Sequence, residues 1–407
     1  MMRIGILGGG LQGCCTALAL AEHGANVVVF DQAQLLLSRT AVANEGKIHL
    51  GYMYAGDPTF ATARTMIEGA LSFAPFMERY LGLPIDQIKT STPSNYVVHR
   101  NSQHNVESVS AYLNTVHRLI AEAANGREFA YFGLGLSEPL RTWPSGERDL
   151  RFNPDAVVEV FATPEVAINP DALANALRNC ISSHPRIEVR LRQHVLQADC
   201  DNGRIRVCST GPEGRFADIF DHVVNALWDG RLAVDDTMGL KPDRPWLHRL
   251  KYGVILNLPV GLESPPTVTV ISGPFGELVS FPDGRIYLTW YPECLKGISA
   301  ELSPPDWPTY APEPARSVIL RGTISAISDI VLCLKPLNHM SLSDARVKGG
   351  VIVAWGETDI YDVKSELHRR FEIGITTAER YHSIDPGKLT MIPYFAQKCA
   401  DRIVQSL

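Results

Sequence analysis

The 407-residue chain has no stretch approaching the roughly 20 uninterrupted apolar residues that a bilayer-spanning helix needs, so it is not expected to cross a membrane. It also lacks any block of lysine and arginine. With 38 basic against 44 acidic residues the net charge is −6, nothing could track a phosphate backbone, and nucleic acid is not an expected partner. The eight cysteines include no C-x-x-C pair and no histidine at zinc-ligand spacing; no metal is expected, and the thiols read as reduced and mostly buried. Internal repeats and low-complexity tracts are missing, and the proline-rich stretch from Ser303 to Pro314 reads as a loop. Arg3 precedes an apolar run, but glycines interrupt the run and no small-residue cleavage pattern follows, so the expected location is the cytoplasm. What remains is ordinary globular composition, 45% hydrophobic and 20% charged, with room for about two or three domains.

The first thirty residues are the most informative. Ile4-Gly5-Ile6-Leu7 reads as a short buried strand, Gly8-Gly9-Gly10-Leu11-Gln12-Gly13 fits G-x-G-x-x-G, and Thr16 to Ala21 continues as a helix that Gly24 ends. Val27 to Phe30 is a second buried strand. It finishes on Asp31, about 20 residues beyond the glycines, as a dinucleotide-binding βαβ unit requires. Each part has a physical task. Gly8 permits the tight turn, Gly10 lets backbone approach a pyrophosphate, Gly13 lets helix pack on strand, and the helix N-terminus offers free N–H groups to the phosphates. Asp31 would accept from the adenosine ribose and disfavours a 2′-phosphate, which favours NAD or FAD over NADP.

The residues beyond Asp31 decide between those two. A nicotinamide dehydrogenase would continue with regular βα units, whereas residues 38 to 54 form a polar loop leading into a possible short strand. Within it Asn44, Gly46, Ile48, His49, Gly51 and Tyr54 fit a segment like N-x-G-x-I-H-x-G-x-x-Y. The chain here resembles the FAD-dependent oxidoreductases of the D-amino-acid oxidase superfamily, most nearly the branch of 2-hydroxyglutarate dehydrogenases and oxidases. The similarity recurs at Asn169 to Leu177, at His194-Val195-Leu196, where the family makes its adenine contact through backbone, and at Val223-Val224-Asn225-Ala226. There Leu227 replaces an expected glycine. Gly387-Lys388-Leu389-Thr390 resembles the G-G-K-L-T segment of glycerol-3-phosphate dehydrogenases.

The resemblance implies an α/β fold: a Rossmann-type FAD-binding domain, with a mixed parallel sheet and helices, from residues 1–85, 160–235 and 340–407. An inserted, mainly antiparallel β substrate domain would come from 86–159 and 236–339. Bound FAD would touch Gly8, Gly10, Leu11, Gln12, Gly13, Asp31, Gln32, Ser38, Arg39, Thr40, Asn44, Gly46, Lys47, Ile48, Val195, Ala226, Gly387, Lys388, Leu389 and Thr390. The activity implied is hydride transfer to flavin N5 from a C–H next to a hydroxyl or amine of a small anionic substrate. Oxygen, a quinone or a protein would take the electrons. No second nucleotide turn follows a later strand, so NADH or NADPH is not expected as reductant.

His49, Lys388 and Arg321 are the candidate catalytic groups. A neutral His49 imidazole could take a hydroxyl proton, or it is a packed or flavin-linked histidine. Lys388, at the start of the final helix, could stabilise negative charge on a reduced flavin, or it is a solvated side chain. Arg321 sits in the apolar run Val318 to Thr323, where a buried guanidinium needs an anion; otherwise it is a surface or ion-paired arginine. Tyr52 and Tyr54 would share one face of a strand, as pocket wall or as core. Glu366, His368, Arg369 and Arg370 read together as a solvated helix face. An NAD-dependent dehydrogenase and a non-catalytic flavin-binding scaffold are the competing readings.

Overall fold

Apolar runs without a polar face must be covered on both sides, which puts them at the centre of a parallel sheet. Strand Arg3–Leu7 is central, flanked by Asn26–Asp31 and His222–Asn225, both parallel to it. Ile187–Leu191 extends the sheet on one side; Tyr381–Asp385, parallel, and Gly374–Ala378, antiparallel, extend it on the other. The register sets Leu7 beside Phe30 and Asn225, so these strands end along one edge. Helix Leu11–Glu22 is buried from Leu11 to Ala21 because the sheet lies on one side and helix Ile392–Gln405 on the other. The computed structural model describes residues 2–406 apart from 85, 86, 128, 274 and 363, so the expected domain boundary at 85/86 lies outside the described residues.

The second sheet is mainly antiparallel and runs through Leu295–Ser299, Trp246–Asn257, Arg285–Trp290, Gly276–Ser280, Thr267–Ile271, Ser94–His99, Val157–Ala162 and Arg141–Thr142. Helix Ala315–Ser328 covers its far face. Two segments fall across the expected division. Arg346–Trp355, expected among the nucleotide-binding segments, pairs from Trp246 to Ile255 with strand Trp246–Asn257. Helix Val106–Ala124, expected with the substrate domain, shares a core with Leu11–Glu22 and Ala61–Leu81. A three-stranded antiparallel meander, His194–Asp201, Arg204–Gly211 and Gly214–Phe220, lies against the outer face of the first sheet. Among the described residues no helix is long and apolar enough to cross a membrane. The cysteines are free; Cys14, Cys15, Cys294 and Cys399 are buried and Cys200 is exposed.

Two histidines meet inside the first sheet, with His222 Nδ1 3.1 Å from His382 Nε2 and the rings stacked. Burial, then the neighbouring His222 and Arg402, pull His382 down to about 4. Between that value and 6.5 the unfolded chain binds a proton that the folded chain refuses, so folding stability falls as pH drops through this window. The loss should approach ~3 kcal/mol at pH 4, because each tenfold difference in proton affinity between the two states is worth about 1.4 kcal/mol. Urea midpoints at pH 7 and pH 4.5 test it. His382→Gln should flatten the slope, and an unchanged slope would assign it to other groups.

Candidate active site

The strand ends of the first sheet open into a cleft of about 610 Å³, within the range of cofactor pockets. Gly8, Gly10, Leu11 and Gln12 form its floor at the glycine turn. Gly8 has φ +100°, and a Cβ on Gly13 would lie 1.8 Å from the Gly8 carbonyl oxygen, so Gly13 sets the close approach of helix to turn without itself lining the cleft. At Gly10, the N-cap of helix Leu11–Glu22, a Cβ would meet nothing within 4 Å. The backbone is bare where a ligand would approach. Asp31 Oδ2 accepts from Gly9 N at 2.8 Å and Oδ1 from Ala33 N at 2.7 Å, leaving a lone pair on each oxygen. Burial raises its carboxyl against these two backbone bonds.

The loop after Asp31 wraps the middle of the cleft. Gln32, Ser38, Arg39, Thr40, Asn44 and Lys47 all line it. Arg39 pairs with Asp229 at 2.8 Å, and Thr40 Oγ1 accepts from Val351 N of the second sheet. Asn44 also folds the loop, donating to the Thr40 carbonyl and accepting from Gly46 N. Gly46, with φ +78°, lies so close to the 165–168 segment that a Cβ would be 2.0 Å from the Ile168 carbonyl oxygen. Gly46 and Ile48 shape this wall from behind: Ile48 is fully buried and donates to the Val166 carbonyl. Val195 and Ala226 line the far wall, as does Leu227, which stands where the family pattern has glycine. Ser303 to Asp306 of the proline-rich loop also reach the cleft.

At the inner end, pairing of residues 46–48 with 166–168 delivers His49 next to Glu165. Glu165 is fully buried; Oε1 accepts from Tyr96 Oη at 2.6 Å and lies 3.3 Å from His49 Nδ1, and Oε2 accepts from Leu50 N. Burial raises this carboxyl, but His49, Lys47 and Tyr96 outweigh it and hold it below its usual range. The other imidazole nitrogen, Nε2, lies 4.0 Å from Glu45 Oε1, and both residues line the cleft. Burial likewise opposes ionisation of Glu45, yet Lys251, Lys388 and His49 bring it down to about 2. Lys388, Gly387 and Leu389 line the cleft, whereas Thr390 is buried behind it, accepting from His49 N at 2.8 Å. Burial lowers the Lys388 ammonium to about 8, with Glu45 opposing and Arg370 assisting.

Arg321 is not part of this site. The run Val318 to Thr323 lies in helix Ala315–Ser328, whose Ile319, Leu320, Ile324 and Ile327 pack into the core of the second sheet and whose Arg321 is exposed and donates to the Leu337, Asn338 and Met340 carbonyls. Tyr52 and Tyr54 do not share a strand face either; Gly51 turns the chain, Tyr52 bonds His117, and Tyr54 packs edge-on to His49. Arg370 is buried rather than solvated, donating to the Val353 and Leu367 carbonyls; the side chain of His368 lies outside what the structure describes.

Residues 3–324 match the family model of FAD dependent oxidoreductases, DAO. The chain belongs to this family. No curated protein matches it. Among solved structures, glycine oxidase from Geobacillus kaustophilus superposes over 100% of this chain and 95% of its own, at 13% identity and a TM-score of 0.68. FAD-bound L-α-glycerophosphate oxidase from Mycoplasma pneumoniae covers 100% and 95% at 16% identity and 0.65. L-proline dehydrogenase from P. horikoshii covers 100% and 94% at 15% identity and 0.63. At such identities the likeness is one of fold. The DAO chain is therefore an FAD-dependent oxidoreductase, and the bare backbone at Gly10, the open lone pairs of Asp31 and the cationic inner end suit that cofactor.

Glu45 and Lys251, half-buried on the cleft wall, and Glu165, Arg249 and Arg370, buried beside it, are charged residues that carry no sequence motif. Arg249 and Lys251 alternate with Leu250, Tyr252 and Val254 on one strand, a pattern that reads as a solvated face, so the sequence carries no signal for their place at the site.

Proposed function

We propose that the protein oxidises a small anion bearing a hydroxyl group, with His49 taking the hydroxyl proton as the adjacent C–H leaves as hydride. The observation that carries this reading is the His49–Glu165 pair. Bound FAD supplies the hydride acceptor. An alcohol must also lose its O–H proton, and at neutral pH that requires a base within reach, whereas a neutral amine that gives up hydride becomes an iminium ion without one. With Nδ1 engaged by Glu165, Nε2 is the nitrogen left to take the proton, on the side of the cleft residue Glu45. The anion is met by Lys251 and Lys388 on the cleft wall. Arg249, two residues before Lys251 on the same strand face, spends Nη1 on Tyr291 and Asp359. Among the described residues its Nε and Nη2 are buried without a hydrogen-bond partner, an edge shaped for a carboxylate.

Glycine oxidase acts on an amine and glycerophosphate oxidase on a hydroxyl compound, so the two chemistries share this fold. Anaerobic mixing separates them: 2-hydroxy acids should bleach the flavin at about 450 nm faster than the amino acids of the same carbon skeleton, and NADH and NADPH should not bleach it. Faster bleaching by the amino acids would overturn the reading.

Lys388 supports the same chemistry from the opposite wall. A positive charge beside a flavin that has gained negative charge stabilises it by about 1–4 kcal/mol at intermediate effective dielectric. Lys388→Met should retain FAD, lower its reduction potential, and slow the reductive half-reaction by about ten-fold or more. Because the amine titrates near 8, wild type carries the charge below that pH and loses it above. Negative charge on the reduced flavin raises the lysine further, so the potential gap between wild type and Lys388→Met should begin to narrow near pH 8 and close above it. Equal potentials at about pH 7 would return Lys388 to a passive wall residue.

A further inference from the structure

We infer that Asp385 is a positioning residue, tying the turn that carries Lys388 to the second sheet so that the lysine is held at the cleft. The inference rests on the role proposed for Lys388. Asp385 ends strand Tyr381–Asp385 of the first sheet and is 8% exposed. Its Oδ1 accepts from Gly387 N at 3.0 Å, and its Oδ2 accepts at 2.8 Å from Nε1 of Trp355, the last residue of Arg346–Trp355 in the second sheet. One carboxylate thus joins two sheets. Only Pro386 and Gly387 separate it from Lys388, so fixing Gly387 N fixes where the Lys388 side chain departs.

Arg231 closes the cluster from beneath. Its Nη1 donates to Asp235 Oδ2 at 3.0 Å and to Ser383 Oγ at 3.2 Å, and Nη2 lies 3.5 Å from Asp385. Its guanidinium sits 5.9 Å over the Trp355 ring. Asp235 in turn takes hydrogen bonds from Asn225 and Tyr381. A buried carboxylate pair sharing one guanidinium offsets its desolvation only where the remaining lone pairs are hydrogen-bonded, as those of Asp235 and Asp385 are. Here the cluster lies behind three walls of the cleft, at 226–234, 350–352 and 386–388.

Trp355→Phe tests the tether without changing charge, since it keeps an aromatic ring and removes the N–H. Reduction potentials of the FAD-replete wild type, Trp355→Phe, Lys388→Met and the double variant form a cycle. Trp355→Phe should lower the potential in the same direction as Lys388→Met, and the double variant should lie no lower than Lys388→Met alone. Asp385→Asn gives a second cycle: an amide oxygen can serve one of the two N–H donors but not both. Adding Lys388→Met to Asp385→Asn should shift the potential by less than about half of what it does in wild type. Additive shifts in both cycles, or a Trp355→Phe potential equal to wild type, would overturn the inference. A Lys388→Met potential equal to wild type would instead sink the Lys388 reading itself.

Discussion

Gly10→Val should purify as a folded but colourless protein. The position has two properties that rarely coincide. It is the N-cap of a helix buried from Leu11 to Ala21, so it lies at the heart of the fold, yet a Cβ there would meet no atom within 4 Å. Its φ of −77° and ψ of −173° are open to any residue, so valine brings no backbone strain. The empty volume is the cleft, and the side chain would occupy the path by which a pyrophosphate reaches the N–H groups of the first helical turn. Losing one or two charge-assisted hydrogen bonds, at about 1.5–3 kcal/mol each, weakens binding by roughly 10-fold to 10⁴-fold. Gly13→Val is the contrasting control: its Cβ would lie 1.8 Å from the Gly8 carbonyl oxygen, and it should destabilise the turn itself. The ratio of flavin to protein absorbance, with the thermal midpoint of the apoprotein, checks both. A yellow Gly10→Val protein with wild-type FAD affinity would mean that the glycine turn does not cradle the cofactor.

This contrast shows which parts of the molecule a sequence makes legible. The turn from Gly8 to Gly13 and the carboxylate at Asp31 are encoded by residues near one another, each with a steric or hydrogen-bonding reason to be where it is. Their agreement in spacing identifies the nucleotide end and the cofactor. The chemical end is assembled differently. Glu165 reaches His49 through an isolated bridge between Lys47 and Ala167, and Lys251 and Arg249 arrive on a strand of the other sheet. No local pattern marks such pairings. Arg321 shows the opposite error: apolar neighbours around a charge suit either a buried strand or an amphipathic helix turn, and only the tertiary structure reveals the helix. Arg346–Trp355 stands in the chain between segments of the nucleotide domain, which suggests that domain, while its pairing partner lies about a hundred residues earlier.

Replacing His49 by asparagine should lower the rate of flavin reduction by about 10²–10⁴-fold, the usual worth of a positioned general base, while FAD stays bound. Retention is expected because the loop is held through the backbone: His49 N donates to Thr390 Oγ1 and Leu50 N to Glu165, and neither bond involves the imidazole. Glu165→Gln separates orientation from proton transfer. The amide oxygen can still accept from Leu50 N or Tyr96 Oη, but the negative charge that sets the His49 tautomer is gone. Its rate should fall by less than that of His49→Asn, and the double variant should be no slower than His49→Asn alone, because the carboxylate acts only through the ring. A His49→Asn protein that reduces its flavin within about three-fold of wild type would remove the base from the mechanism. The buried pair would then be a structural ion pair, and the case for a hydroxyl rather than an amine substrate would fall with it.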